Sequence, residues 1–140
     1  KINICPLLLS FFFFNVCKSA ELTIKILYID ENVGLIHFAV YDKPDFFPEN
    51  EGKKIGFKKK VTDLVNNEVT ITDLAESHYA IAIYHDKNSN NEFDTFLSIP
   101  QEKFGFSNDA KVFFGPPSFD EASFYLKKNQ RLLSFHRHRR

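Results

Sequence analysis

From residue 21 onward, nearly every apolar stretch alternates with period two, and no apolar stripe at helical spacing runs longer than two turns. That pattern predicts a β protein. Leu22, Ile24, Ile26 and Tyr28 share one face of a first strand, which stops at Asp30-Glu31-Asn32-Val33-Gly34. Ile36, Phe38 and Val40 mark a second, halted by Asp42-Lys43-Pro44. Asp45 to Gly52 is a loop whose Phe46 and Phe47 plug the end of the core. Phe57, Lys59 and Val61 alternate with Lys58 and Lys60, the Lys loading of a protected edge strand, with an anion-binding patch as the other reading.

Val69 and Ile71 mark the next strand, followed by a turn at Asp73 to Ser77. Tyr79-Ala80-Ile81-Ala82-Ile83-Tyr84 is apolar on both faces and reads as a central strand. Val112-Phe113-Phe114 and Ala122 to Leu126 are further strands, joined by Gly115-Pro116-Pro117-Ser118, an enforced extended connection. Close spacing and Gly, Pro, Asn and Asp punctuation point to an all-β fold, an antiparallel β-sandwich of about seven strands, immunoglobulin-like or prealbumin-like.

The first twenty residues are a different material. The apolar run Ile4 to Val16 has the length of a secretory leader core and is too short to cross a hydrocarbon layer of roughly 30 Å. Small residues at Cys17, Ser19 and Ala20 suit cleavage after Ser19 or Ala20, with Ser19 better because the other cut places Lys18 where a small side chain belongs. A lipoprotein reading, with Cys17 lipidated, lacks the small-residue box. The organisation expected is therefore a signal peptide over 1–20, a β-sandwich domain over 21–130 and a basic tail over 131–140. The expected location is secreted or periplasmic, with outer-membrane association a variant of it.

Cleavage would remove Cys5 and Cys17, leaving a domain with no disulfide, so stability rests on the core and an ion. The 17 Phe and 5 Tyr are ample for one core. Overall the formal charge is zero, which gives no reason to expect a nucleic-acid binder, since phosphate neutralisation needs a clustered basic excess. Residues 21–130 alone carry 12 basic and 18 acidic side chains. The body is acidic, while Arg131, Arg137, Arg139 and Arg140 make the end a cationic tail.

One segment carries specific chemistry. Asp86, Asn88 and Asn90 place oxygens at every second position, and Glu92, Phe93 and Asp94 complete the first nine positions of an EF-hand-type calcium loop. A hard cation wants six to eight oxygens, and a tightly coiled loop turns alternate side chains inward. Glu92 would supply its backbone carbonyl, and Asn91 stands where the sharp turn usually has Gly. The twelfth position departs: Leu97 replaces the bidentate Glu, so water or a distant carboxylate such as Glu102 must complete the shell. The weak affinity this implies, roughly 10⁻⁴ to 10⁻³ M, suits an extracellular module. Mg²⁺ fits less well because it prefers water and strict octahedral geometry. The competing reading is an Asn-rich turn closed by Asx hydrogen bonds with no ion.

Catalysis has weaker support. His85-Asp86 resembles the HD pair of metal phosphohydrolases, but His85 closes a strand, and His37 and His78 are isolated in sequence. Ser107, Ser118 and Ser123 lie in no nucleophile-elbow context. A hydrolase would have to use His85 and Glu102 converging in a pocket. A carbohydrate or peptidoglycan binder would need Phe46, Phe47, Phe104 or Phe106 on one exposed platform.

Tyr79 to Asp86, then Asn88, Asn90 and Asp94, then Ile99-Pro100, Glu102, Gly105-Phe106-Ser107-Asn108, Gly115-Pro116-Pro117-Ser118-Phe119, Ala122 and Phe124 closely resemble the exported bacterial family catalogued as domain of unknown function 2141. The resemblance covers most of residues 21–127. It implies a secreted or periplasmic all-β domain without an established activity. Family members carry Gly where this chain has Ser77, Asn91 and Ser98. The expectation is thus a non-catalytic module with a structural calcium loop at Asp86, Asn88, Asn90, Glu92 and Asp94, serving binding or scaffolding. Its partner would be an envelope protein or glycan.

Overall fold

A computed structural model describes residues 19–128 and 133–135. Residues 1–18 of the leader expected over 1–20, and most of the basic tail, lie outside them, while Ala20 opens the first strand. The described residues form ten strands: β1 (Ala20–Ile26), β2 (Leu35–Tyr41), β3 (Ile55–Lys60), β4 (Glu68–Leu74), β5 (Ser77–Asp86), β6 (Thr95–Phe96), β7 (Ile99–Pro100), β8 (Lys103–Phe106), β9 (Phe124–Leu126) and β10 (Leu133–Phe135). The all-β, antiparallel character holds. The number of strands exceeds seven because short pieces, among them the two-residue β6 and β7, had no periodicity to reveal them.

One sheet runs β10-β1-β4, a second β3-β2-β5-β8 with β9 beside β5, and β6-β7 form a separate two-stranded sheet. Leu22, Ile24 and Ile26 of β1 meet Ile36, Phe38 and Val40 of β2 and Tyr79, Ile81 and Ile83 of β5 in one buried cluster. Period two therefore decides which side chains point between the sheets. Burying apolar surface there, at about 25 cal/mol per Å², is the main stabilising contribution. The alternate residues of β5, Ala80 and Ala82, pack into a second cluster with Phe47, Phe104, Phe106 and Phe119. Both faces of β5 are thus covered, as its unbroken apolar sequence predicts.

β4 shows how a pattern break is absorbed. Val69 and Ile71 are in phase but Leu74 is not, and the pairing slips between Ala20↔Leu74 and Leu22↔Ile71. Asp73 takes φ 61° there. One extra residue on β4 returns Leu74 to the core, where it is buried. The turn expected over Asp73 to Ser77 is confined to Ala75-Glu76, because the bulge carries β4 on to Leu74.

Four other expectations are corrected. Tyr28 lies beyond the end of β1 and is exposed. Val112-Phe113-Phe114 is no strand, because β8 and β9 already fill the side of β5 opposite β2. Ala122 closes a short helix, α1 (Phe119–Ala122), whose Ser118 cap and Glu121 form a reciprocal capping box, and the strand starts at Phe124. Leu133–Phe135, placed in the tail, pairs in parallel with Ile24, Lys25 and Ile26. The Lys-rich β3 does stand at the edge of its sheet.

Ser107 of the Gly-Phe-Ser-Asn run explains that motif. Its fully buried Oγ accepts from Ile81 N at 2.8 Å and donates to the Ala122 carbonyl at 2.6 Å. It continues the β5–β8 ladder past the end of β8 and ties in α1. Asn108, with φ 60°, gives its amide to the carbonyls of Glu121 and Ser123.

Candidate functional site

The loop after β5 begins at Asp86, whose relative exposure is 0%. Asp86 falls on the face of β5 that Ala80, Ala82 and Tyr84 occupy, so alternation turns its carboxylate under the loop. Oδ1 accepts from Asn90 N at 3.1 Å, and Oδ2 accepts from Asn91 N at 2.8 Å and contacts His37 Nε2 at 3.1 Å. A buried carboxylate is tolerated because each oxygen has donors.

Asx turns then follow one another. Asn88 Oδ1 accepts from Asn90 N at 3.0 Å and Asn90 Oδ1 from Glu92 N at 2.9 Å. Ser89 and Asn91 take φ 60° and 67°, the left-handed geometry that Gly adopts most easily, and Asn91 is a position where the resemblance expects Gly. Asn88 and Asn90 both give their amide NH₂ to Asp94, at 2.7 and 2.9 Å. Four of the five residues assigned from the sequence, Asp86, Asn88, Asn90 and Asp94, are therefore joined in one hydrogen-bonded group. Glu92 enters it through its backbone N–H, and its side chain is exposed.

The surroundings hold the loop from three sides. Asp94 N donates to Glu102 Oε2 at 3.3 Å, while Asp94 O accepts from Gln101 N at 2.9 Å, so the β6–β7 hairpin is mounted on Asp94. Gly34, at φ 80°, lies against Asp86 and Lys87 so closely that a Cβ would stand 2.4 Å from the Asp86 carbonyl oxygen. Lys87 reaches Glu31 at 2.7 Å, Lys103 pairs with Asp30, and Lys58 bonds Asn91. Phe93 folds back over the sheet onto Tyr84 and Phe104, with centroids at 5.3 and 5.7 Å, while His37 stacks on Tyr84 at 4.4 Å.

The electrostatics follow from this packing. Burial pushes the Asp86 carboxyl up, but the bonds from Asn91, His37 and Asn90 together hold it below its ordinary range. Burial drives His37 down despite the pull of Asp86, with Lys58 and Lys53 adding to the effect. The pair at neutral pH is thus a neutral imidazole donating to a carboxylate. Burial also raises Glu102, against the amides of Asp94 and Lys87 and in concert with the charges of Asp86 and Asp94. Tyr84 is pushed up to about 12, first by burial and then by Asp86, Glu102, Asp94 and Glu92.

Among the described residues, no group of three or more His, Cys, Asp or Glu side chains is arranged to hold a metal ion. What the loop offers is a mixed oxygen set of carboxylates, amides and carbonyls. His85 and Glu102 turn to different partners: His85 Nε2 bonds the Val33 carbonyl at 2.7 Å, and Glu102 Oε2 accepts from Asp94 N. Nor do the four Phe form a platform, because Phe47, Phe104 and Phe106 pack in the second cluster while Phe46 is 69% exposed. His37 carried no motif signal, and Tyr84 carried one only as part of the Tyr79 to Asp86 strand run. Strand pairing, His37↔Tyr84, brings them to the loop.

A model of a family described as an uncharacterized protein conserved in bacteria, DUF2141, matches residues 24–133. This chain is a member of the DUF2141 family. No curated protein and no solved structure matches it. The DUF2141 match spans every element from within β1 to the start of β10 and includes the whole loop with Glu102.

Proposed function

We propose that this DUF2141 chain is an exported, non-catalytic module of the bacterial envelope in which the 86–94 loop binds calcium as a structural staple. The observation that carries the reading is the convergence of Asp86, Asn88, Asn90 and Asp94 into a single hydrogen-bonded group. Asx turns and side-chain amides already coil the loop, and the Asn88 and Asn90 amide oxygens, each accepting one backbone N–H, keep a second lone pair that an ion could take. The apolar run Ile4 to Val16 supports export. A binding role draws on the hairpin beyond the loop: Phe96 and Leu97 are 65% and 81% exposed, and Ile99 beside them is exposed too. Exposed aliphatic and aromatic groups on one hairpin fit an envelope protein better than a sugar.

Melting with excess calcium and with excess chelator tests the reading. At about 10 to 100 times a dissociation constant of roughly 10⁻⁴ to 10⁻³ M, binding stabilises by about 1.4–2.7 kcal/mol. At about 4 °C per kcal/mol, that raises Tm by about 5–10 °C. Identical melts would leave the segment a turn closed by its own hydrogen bonds.

A further inference from the structure

We propose that the outer face of the β3-β2-β5-β8 sheet binds a small amphiphilic carboxylate, an anion on an aliphatic stem, in a trough whose mouth is held by Lys53 and Lys58. The site does not depend on the loop's ion. Strand pairing sets its rows: Gly56, Ala39, Ala82 and Phe106 stand side by side across the sheet, and Lys58, His37, Tyr84 and Phe104 form the next row. Residues two apart on a strand share a face at a spacing of about 7 Å, so the small residues of the first row leave a depression between the second row and Tyr41. Rings flank it. His37 stacks on Tyr84 at 4.4 Å on one side, and Phe47 meets Tyr41 edge-on at 4.9 Å on the other. The second cluster covers the outer face from Ala82 to Phe106 and closes that end. Ala39, in the middle of the sheet, belongs to neither cluster and stays partly exposed, and Gly56 is exposed. From Gly56 to Ala82 is two strand spacings, about 10 Å, which suits a short aliphatic stem.

The open end is cationic. The Lys53 stem crosses Gly56 so closely that a Cβ there would stand 2.9 Å from its Cδ and Cε and 3.2 Å from Nζ. The missing side chain is what lets this ammonium lie at the mouth. Lys58 stands in the next row, and the charges of both lysines are felt at His37. Neither makes an ion pair among the described residues: Lys53 donates to the Asn50 amide oxygen at 3.3 Å, and Lys58 to that of Asn91. The rest of the Lys run is placed elsewhere, with Lys54 paired to Asp42 and Lys59 on the opposite face beside Ile36. Asp86, one row further on, is satisfied by loop amides and His37. Two lysines without acidic partners, on a body with more acidic than basic groups, attract an anion, and the apolar flanks favour a stem behind it. That complementarity selects the amphiphile over a bare anion or a neutral sugar.

Octanoate, octanol and inorganic phosphate, titrated calorimetrically into the full chain in chelator so that no ion takes part, are the probes. Octanoate is expected to bind at least about tenfold tighter than octanol or phosphate, because it alone fills both the trough and the mouth. The double variant Lys53→Gln, Lys58→Gln should weaken octanoate about tenfold and leave octanol within about twofold. Ala39→Val, which raises the floor, should weaken octanoate and octanol alike by at least about fivefold. Both changes lie on the solvent-facing side of the sheet, so each variant should melt within about 3 °C of the unchanged chain. Should Ala39→Val melt lower than that, the lysine variant decides alone. Phosphate binding as tightly as octanoate would reduce the site to a patch of charge and overturn the proposal. Octanoate binding unaltered by the lysine change, or no saturable octanoate binding at all, would overturn it too.

Discussion

Gly34→Ala tests how the loop is seated. The residue has φ 80°, and an added Cβ would lie 2.4 Å from Asp86 O, 2.8 Å from Lys87 Cα and 2.9 Å from Lys87 O. All three are backbone atoms, so no rotamer change relieves the contact. The left-handed conformation costs a non-Gly residue about 1–2 kcal/mol, and forcing an extra methyl into a packed site about 1–3 more. The sum of about 2–5 kcal/mol corresponds to a Tm lower by about 8–20 °C. Gly56→Ala is the internal control: its Cβ would meet only the flexible side chain of Lys53, at 2.9 Å. That variant should melt within about 3 °C of the unchanged chain, because less than about 1 kcal/mol is at stake. Calorimetry on both decides the matter. If Gly34→Ala and Gly56→Ala melt alike, the turn at Asp30–Gly34 does not clamp the start of the loop, and the account of how Asp86 is positioned fails.

Ser107→Ala leaves the Ile81 amide and the Ala122 carbonyl without their partner in a fully buried place; a loss of about 2–4 kcal/mol is expected by denaturant titration. Leu97→Gly relieves a left-handed residue that is 81% exposed and so buries little surface, and should raise Tm by about 2–4 °C, as about 1 kcal/mol of strain predicts. Acid should destabilise the protein in two stages. His37 is depressed below 6.5 and Asp86 below 3.8, so the unfolded chain binds more protons in each window. Stability from His37 is complete above about 6.5 and is lost as pH falls through its folded value, and that from Asp86 is lost below 3.8. His37→Phe should remove the upper stage and weaken the lower one, because His37 also helps hold Asp86 down, read from Tm against pH; an unchanged profile would contradict the pairing.

Much of the fold was legible in the chain because burial imposes period two on any strand with one dry face. Leu22, Ile24, Ile26, Ile36, Phe38 and Val40 could be assigned to a core, and β5 to a central place, without coordinates. The Lys residues of β3 announced an edge. The oxygen spacing of Asp86, Asn88, Asn90 and Asp94 marked the loop, since alternate positions of a coiled segment face one centre whether or not an ion occupies it. Of the three positions where the resemblance expects Gly, Asn91 and Ser98 adopt positive φ and Ser77, inside β5, does not. Other features depend on partners distant in sequence. The Asp73 bulge exists because Leu74 must meet Ala20, and Phe113 stays out of a sheet because β8 and β9 occupy the place beside β5. His37 lies 49 residues from Asp86, and only the pairing of β2 with β5 makes them neighbours. Local periodicity records which side of the chain is dry; register and sheet order, set by competition among all strands for edges, decide which dry and charged groups meet.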